Sequence, residues 1–285
     1  AVLLVDDGDA IGGRDALRKL LDTGPGDGLT MVEAARALVF TGDLDGARAL
    51  LDKAADVATT PAARLARERG RVALRRRDFK TAITELRLAT SEDDRDFEAW
   101  LLFLDAQLAS GDVAEAKKVQ DSILLKFPNH TNLGLVNGRL ALVSGRATEA
   151  VLDFKNAKSA TANAPRRTIA DACYWLGYTY YALGEFGLAK SQLKEAIEKE
   201  STNADAHGVL GQVQAESSEW KDASITLARA VQLDADNAEA WFYLGAVRAN
   251  LRKPEEARTA LETYLKRWPG GDHAEEARGL LAALR

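Results

Sequence analysis

The residues that could bind a metal or act as nucleophiles are few and widely spaced in this chain. Its three histidines, His130, His207 and His273, stand too far apart for the spacings typical of a zinc site. Cys173 is the single cysteine, which excludes an internal disulfide and a cysteine-based metal cluster. The sequence therefore predicts no metal, no cofactor and no catalytic residues, and we expect the protein not to be an enzyme.

Two glycine-rich pieces near the N-terminus invite a phosphate- or calcium-binding interpretation. Residues 8–13 and 23–28 both lack the Lys-Ser/Thr pair of a P-loop. Asp7 and Asp9 resemble the start of a calcium-binding loop, but Ile11 stands where a further ligand is needed. We interpret both pieces as linkers.

The composition is that of a folded helical protein, with 46% hydrophobic and 28% charged residues. No stretch approaches twenty apolar residues, so the sequence predicts no membrane span. A net charge of −5 argues against nucleic acid as the main partner. The lone cysteine favours a reducing compartment, cytoplasmic over periplasmic, although a disulfide-free periplasmic protein would look the same. Because the chain starts at Ala1 without methionine, we expect a processed form or a fragment.

Small residues recur every 34 residues along part of the chain, and a constant spacing of this size is typical of repeat architectures. We expect the small residues with this spacing to let two antiparallel helices approach closely at every layer. These residues are Gly177, Gly211 and Gly245, together with Ala189, Ala223 and Ala257.

The clearest copy of the repeat runs over residues 238–271. It carries Trp241, Leu244, Gly245, Ala257, Leu261, Tyr264 and Pro269. This pattern resembles the tetratricopeptide (TPR) family, whose motif is Trp-x2-Leu-Gly-x2-Tyr, then Ala-x3-Phe, then Ala and Pro. The resemblance implies an all-α fold, a right-handed α-solenoid of about seven helix-turn-helix repeats with a C-terminal capping helix.

The register predicts a TPR array over residues 28–271, an irregular segment or partial repeat over 1–27, and the capping helix over 272–285. Five extra residues near 161–168 predict a lengthened loop, or else a local change in the superhelical path. The predicted repeats start near residues 28, 63, 97, 131, 170, 204 and 238.

In the TPR family the first helix of each repeat lines a groove that holds a peptide. If this chain follows it, the groove-facing positions are 2, 5, 9 and 12 of each repeat, counting Trp241 as position 4; they share one helix face. The predicted groove is basic in its N-terminal half and aromatic in its C-terminal half. The residues at these positions that we expect to contact a partner are Arg64, Arg67, Arg71, Arg139, Tyr174, Tyr178, Tyr181 and Phe242.

Each set has a plainer interpretation, since the arginines could be a solvated helix face and the tyrosines could fill a core. The lysine and asparagine clamp of chaperone-binding members is missing, so we expect no binding of chaperone C-terminal tails. RNA binding through residues 64–77 is the least favoured alternative, because no aromatic residues are interleaved with the arginines.

The sequence thus predicts a non-catalytic scaffold or adaptor that binds a protein or peptide partner and no small-molecule substrate. We expect it in a bacterial multiprotein assembly serving motility, pilus, polarity, secretion or envelope functions. The alternative is a regulatory or substrate-selecting TPR region of a larger enzyme, such as a kinase or glycosyltransferase.

Overall fold

A computed structural model of the chain describes residues 26–160 and 166–284. Within these residues there are fifteen helices and no strand, which confirms the predicted all-α fold. The two glycine-rich pieces, except for residues 26–28, and most of the N-terminal segment predicted over 1–27 lie outside the described residues, as do residues 161–165 of the predicted insertion.

Fourteen of the helices form seven consecutive pairs and the fifteenth follows the last pair. In chain order they are α1 (Gly28–Phe40), α2 (Leu44–Ala55), α3 (Ala62–Arg75), α4 (Phe79–Glu92), α5 (Phe97–Ala109), α6 (Val113–Lys126), α7 (Leu133–Val143), α8 (Ala147–Ala160), α9 (Arg166–Ala182), α10 (Phe186–Lys199), α11 (Ala204–Glu216), α12 (Trp220–Leu233), α13 (Ala238–Asn250), α14 (Pro254–Arg267) and α15 (Ala274–Ala283).

The described residues divide into two compact units, one ending at Ala172 and one beginning at Cys173, so the boundary falls inside α9. In the first unit, α1, α3, α5 and α7 pack side by side and each contacts the second helix of its pair. In the second unit, α11 and α13 pack side by side in the same way, and α15 packs against α13 and α14.

The predicted insertion is partly helical. We expected a loop near residues 161–168, but α9 begins at Arg166 and is 17 residues long, whereas the other helices have 10 to 14. Arg166, Arg167 and Thr168 therefore extend the first helix of the fifth pair. Placed on a helix, these two arginines have a fixed direction that a loop would not give them.

Close packing within a pair depends on the repeated glycine. A β-carbon built on Gly211 would lie 2.4 Å from Leu227 Cγ, and one on Gly245 would lie 2.6 Å from Leu261 Cγ. Gly177 faces Leu193 and Gly138 faces Phe154 in the same way, at 2.7 and 2.6 Å. The partner side chain stands sixteen residues after the glycine, one helical turn beyond the alanine that the sequence pattern marked.

The third pair has no glycine at this position and packs in a different way. Leu104 stands at the glycine position of α5 and is fully buried. The large apolar residue of the second helix is replaced by Gln120, whose Nε2 donates to Asn137 Oδ1 at 2.9 Å. A polar, flexible side chain that turns towards α7 therefore leaves room for the leucine.

The turn between the two helices of each pair contains one residue in the left-handed backbone region. Glycine fills this position in four turns, where φ lies between 75° and 82°. The other three turns use Arg77, Ser218 and Arg252, with φ of 56° to 58°. A side chain at such a φ is disfavoured by contact between its Cβ and the following carbonyl. These three turns are therefore strained, and glycine would relieve the strain because it has no Cβ.

Short polar residues begin many of the helices. The carboxylates of Asp43, Asp78 and Asp112 accept the third backbone N–H of a second helix, which satisfies a donor that the helix leaves unpaired. Asn203 and Asn237 do the same for first helices. These asparagines stand between repeats, where the family pattern places its proline.

Helix α15 covers the last layer of the array, as the sequence predicts. Ala274 and Ala277 are buried, and Leu280 and Leu281 are partly buried against Leu261 and its neighbours. This helix keeps water from the apolar face that α13 and α14 would otherwise expose.

We expect Gly211→Ala to lower the free energy of unfolding by about 1–3 kcal/mol, because the added methyl overlaps Leu227. Urea denaturation measures it. Gly279→Ala is the matched control: this glycine is also helical but a β-carbon there meets no atom within 4 Å, so better helix propensity should raise stability by up to about 1 kcal/mol. Equal effects of the two substitutions would contradict the packing role.

We expect Arg252→Gly to raise the free energy of unfolding by about 0.5–1 kcal/mol. Glycine removes the strain of the left-handed backbone, and part of this gain is lost because glycine has a higher conformational entropy in the unfolded chain. The reverse change, Gly184→Ala, should lower it, since φ there is 76°. Both are measured by urea denaturation, and a loss of stability in Arg252→Gly would show that the turn is not strained.

Candidate functional site

The arginines predicted to line the groove are mostly buried. Arg67 and Arg71 are each 8% exposed and Arg139 is 5% exposed, whereas Arg64 is an exposed residue near Glu33. The prediction that Arg67, Arg71 and Arg139 contact a partner therefore needs correction. Their guanidinium groups are held within the first unit by carboxylates of the same chain.

Two of these arginines form one cluster with carboxylates of α3 and α5. Arg71 Nε donates to Glu68 Oε2 at 2.7 Å and its Nη2 donates to Glu98 Oε1 at 2.6 Å. Arg67 donates to Glu68 at 2.8 Å and to Asp96 at 2.7 Å. Since the side chain of Glu68 is fully buried, it depends on both guanidinium groups for neutralisation.

The field of this cluster shifts the pKa of Glu98. Burial alone would raise it, but the guanidinium groups of Arg71, Arg36 and Arg67 lower the pKa to about 2. Glu98 is therefore charged in the folded protein at any moderate pH, and the contribution of these ion pairs to stability is lost only as the pH falls from about 4 towards 2.

A second ion pair lies further along the same face, where Arg139 Nη1 donates to both carboxylate oxygens of Asp105, at 2.9 and 3.0 Å. Burial raises the pKa of Asp105 to about 6 against the attraction of Arg139, and the nearby carboxylate of Asp171 adds to the rise. Burial also raises the pKa of Asp171, opposed by Arg167 and Arg139.

Sequence reasoning missed the acidic half of this network. Glu98 and Asp105 occupy positions 2 and 9 of the third repeat, which are groove-facing positions by the rule that selected the arginines. The signal was thus present in the sequence. Applying the rule to that repeat would have shown carboxylates beside the arginines.

An aromatic ring anchors the basic side chains at the other end of the cluster. The guanidinium carbon of Arg167 lies 3.1 Å from the ring centroid of Phe40, and those of Arg71 and Arg36 lie at 5.4 and 5.8 Å. Cation–π contacts of this kind stabilise buried guanidinium groups. They join the start of α9 to the end of α1 within the first unit.

The three predicted tyrosines lie on α9 in the second unit and are partly exposed. The ring centroids of Tyr174 and Tyr178 are 6.2 Å apart, and Trp175 packs edge-on against both. Tyr181 lies one turn further on, with its ring 6.2 Å from that of Phe186. Tyr180, by contrast, is buried, as its consensus position predicts.

Phe242 is not available to a partner, which corrects the prediction that it faces an open groove. It is 3% exposed. The imidazole of His273, just before α15, stacks on its ring with centroids 4.1 Å apart and planes 4° apart. The Nε2 atom of His273 also contacts Glu239 Oε2 at 3.0 Å. The entry to the capping helix therefore occupies the face of Phe242 that a ligand would need.

A tyrosine that the sequence analysis did not select, Tyr243, completes the surface. Its hydroxyl neighbours that of Tyr181, although the two helices that carry them are two repeats apart. The intervening α11 has Asp205, Gly208, Gln212 and Ala215 at its groove-facing positions. Gly208 and Ala215 add little side-chain volume between the helices that carry the two tyrosines.

The charges of two carboxylates act on these hydroxyls. Burial raises the pKa of both Tyr181 and Tyr243, and the charges of Glu216 and Glu239 add to the rise in each. We name the set Tyr174, Tyr178, Tyr181, Tyr243, Glu216 and Glu239 the tyrosine–glutamate surface.

His207 and Cys173, which were considered above as a metal ligand and a nucleophile, have contacts or burial that fit a structural role. His207 Nε2 lies 3.1 Å from Ser201 O, and the indole N–H groups of Trp100 and Trp241 donate to carbonyls at the same six-residue offset. Cys173 is fully buried. No group of three or more potential metal ligands occurs among the described residues, and none of the helices over residues 26–160 and 166–284 has the length and apolar character needed to cross a bilayer.

We expect carboxyl NMR to show Asp105 titrating near pH 6. Because this pKa lies above the unfolded value of about 3.9, the stability that Asp105 contributes is present at low pH and lost as the pH rises from about 4 to about 6. The stability of Asp105→Asn, which mimics the protonated acid, should therefore rise relative to that of wild type as the pH increases from about 4 to 7.5. The exposed Asp121→Asn serves as the control, and a measured Asp105 pKa below 4 would contradict the assignment.

Comparisons with known proteins agree with the helical pairs. Family models described as tetratricopeptide repeat match residues 32–97, 67–130, 180–241 and 218–272. No curated protein matches the chain.

Several solved structures share the fold at low sequence identity. A chain of the APC/C hetero-tetramer Cut9-Hcn1 is 16% identical with a TM-score of 0.66, covering 99% of this chain and 54% of that one. The human IFIT1 dimer with PPP-AAAA is 17% identical with a TM-score of 0.68, covering 91% and 63%. PilW, a type IV pilus biogenesis factor, is 16% identical with a TM-score of 0.56, covering 77% and 100%. This chain therefore spans less than two thirds of the first two. The repeated matches over most of its length show that it belongs to the tetratricopeptide repeat family.

Proposed function

We propose that this protein is an interaction scaffold that holds a segment of a partner protein against the tyrosine–glutamate surface of its second unit. The repeats that form it are generally a non-catalytic protein-interaction module. The observation that carries the proposal is that Tyr174, Tyr178 and Tyr181 share one helix face and stay partly exposed, while the consensus core position is filled by Tyr180.

Tyrosine suits this role because it buries a large area on binding and loses little rotamer entropy. Micromolar affinity requires about −8 kcal/mol, which a few aromatic anchors supply when a partner covers them fully. The first unit offers less to a partner, because its buried arginines Arg67, Arg71 and Arg139 are already paired inside the chain.

The assembly that the scaffold serves stays a prediction. A bacterial machine for motility, pilus formation, polarity, secretion or envelope assembly fits a non-catalytic adaptor, and the likeness to PilW at 16% identity supports the architecture alone. The regulatory arm of a larger enzyme is the competing prediction. Either role uses the same surface.

We expect Tyr178→Ala/Tyr181→Ala to abolish capture of partner proteins that the wild-type chain retains from a lysate of its source cells, because the anchors of the surface are removed. Quantitative mass spectrometry of the captured proteins makes the measurement. Circular dichroism verifies that the variant keeps its helices.

The matched control is Leu188→Ala/Ile225→Ala, which removes exposed apolar side chains from the second helices α10 and α12. Proteins captured by wild type and by this control, but not by the tyrosine variant, are partners of the surface. Unchanged capture by a folded tyrosine variant would place binding elsewhere.

A further inference from the structure

The two units differ in the charge that their first helices carry. In the second unit these helices, residues 173–182, 204–216 and 238–250, hold a single lysine or arginine, Arg248. Its Nε lies 3.4 Å from Glu256 of α14. The first helices of the first unit, by contrast, carry several arginines that neutralise the neighbouring carboxylates.

The excess of acidic over basic residues lies mainly in the second unit. Residues 173–285 contain 17 Asp and Glu against 13 Lys and Arg, whereas residues 1–172 contain 26 against 25. Almost the whole net charge of −5 thus resides in the part of the chain that carries the tyrosines. Glu216 is an exposed residue, and the side chain of Glu239 is 41% exposed beside His273.

The tyrosine rings and the two carboxylates together favour contact with a basic side chain. The face of a tyrosine ring is negative, so it attracts an ammonium or guanidinium group placed over it. A carboxylate at the edge of the same surface adds a charge-assisted hydrogen bond to that group. Burial is the main cause of the raised pKa of the Tyr181 and Tyr243 hydroxyls. The contact between the two hydroxyls comes next, raising the pKa of Tyr243 and opposing the rise at Tyr181, and the negative charges of Glu216 and Glu239 add smaller increases at both.

We propose that the tyrosine–glutamate surface selects a basic partner segment, with lysine or arginine side chains lying over the tyrosine rings and bonded to Glu216 and Glu239. This inference rests on the proposed function and names the chemistry of its ligand. An acidic segment would place like charges together, and a wholly apolar segment would remove water from two carboxylates without replacing it.

The test is a selection of random 12-residue peptides on the full chain, followed by fluorescence anisotropy with the recovered peptides. We expect them to be enriched in lysine and arginine over the starting library. Their Kd should rise at least tenfold for Glu216→Gln/Glu239→Gln and should also rise with ionic strength. The single Glu216→Gln, which keeps the contact between Glu239 and His273, should show at least a threefold rise.

The matched control is Glu255→Gln/Glu262→Gln, which removes the same two charges from exposed positions on α14 and should leave Kd unchanged. Recovered peptides that require Tyr178 and Tyr181 but are not basic, or that bind the Glu216 and Glu239 variants normally, would overturn this inference and keep the proposed function. Failure to recover peptides, or binding that survives Tyr178→Ala/Tyr181→Ala, would overturn both.

Discussion

The contact on which this fold depends is the close approach of a first helix, at a glycine, to a large side chain sixteen residues later. At Gly177, Gly211 and Gly245 the gap is too small for even a methyl group, and the partner leucines are fully buried. The contact fixes how the two helices of a pair lie against each other. Because it lies between the helices, it leaves the outward faces of the first helices free to differ from repeat to repeat.

In the first unit, the outward faces of the first helices carry a network of paired charges. Burying guanidinium and carboxylate groups costs desolvation free energy, which is offset when every charge has close, well-oriented partners. Glu68 meets this condition, since both Arg67 and Arg71 donate to it. Removing one member of such a cluster costs about 3–5 kcal/mol, because the remaining charge stays buried and unpaired. These arginines therefore hold neighbouring first helices together, which is a structural task.

The sequence was sufficient for the periodic part of the structure and insufficient for the aperiodic part. A constant step locates glycines, turns and the capping helix, because each obeys a local rule that repeats. The periodic positions show that charges share the groove face, but not which of them pair: Arg71 bonds position 2 of the following repeat at Glu98, whereas Arg139 bonds position 9 of the preceding one at Asp105. The covering of Phe242 by His273 was equally hidden, since it depends on where the chain turns into α15. The position of a residue on a helix indicates the direction of its side chain. It does not indicate which other side chains lie in that direction.

Exposure sets the tyrosines of α9 apart from Arg67, Arg71, Arg139 and Phe242, which are buried. A residue can contact a partner only where part of its side chain stays exposed, as it does in Tyr174, Tyr178 and Tyr181. The arginines of the first unit meet carboxylates one repeat away, and Phe242 meets the entry to the cap. The intervening α11 carries no lysine or arginine, so Tyr181 and Tyr243 meet no basic side chain from that helix. The contrast between the units thus comes from what α5 and α11 place beside their neighbours: carboxylates that match arginines in one, and no basic side chain beside the tyrosines in the other.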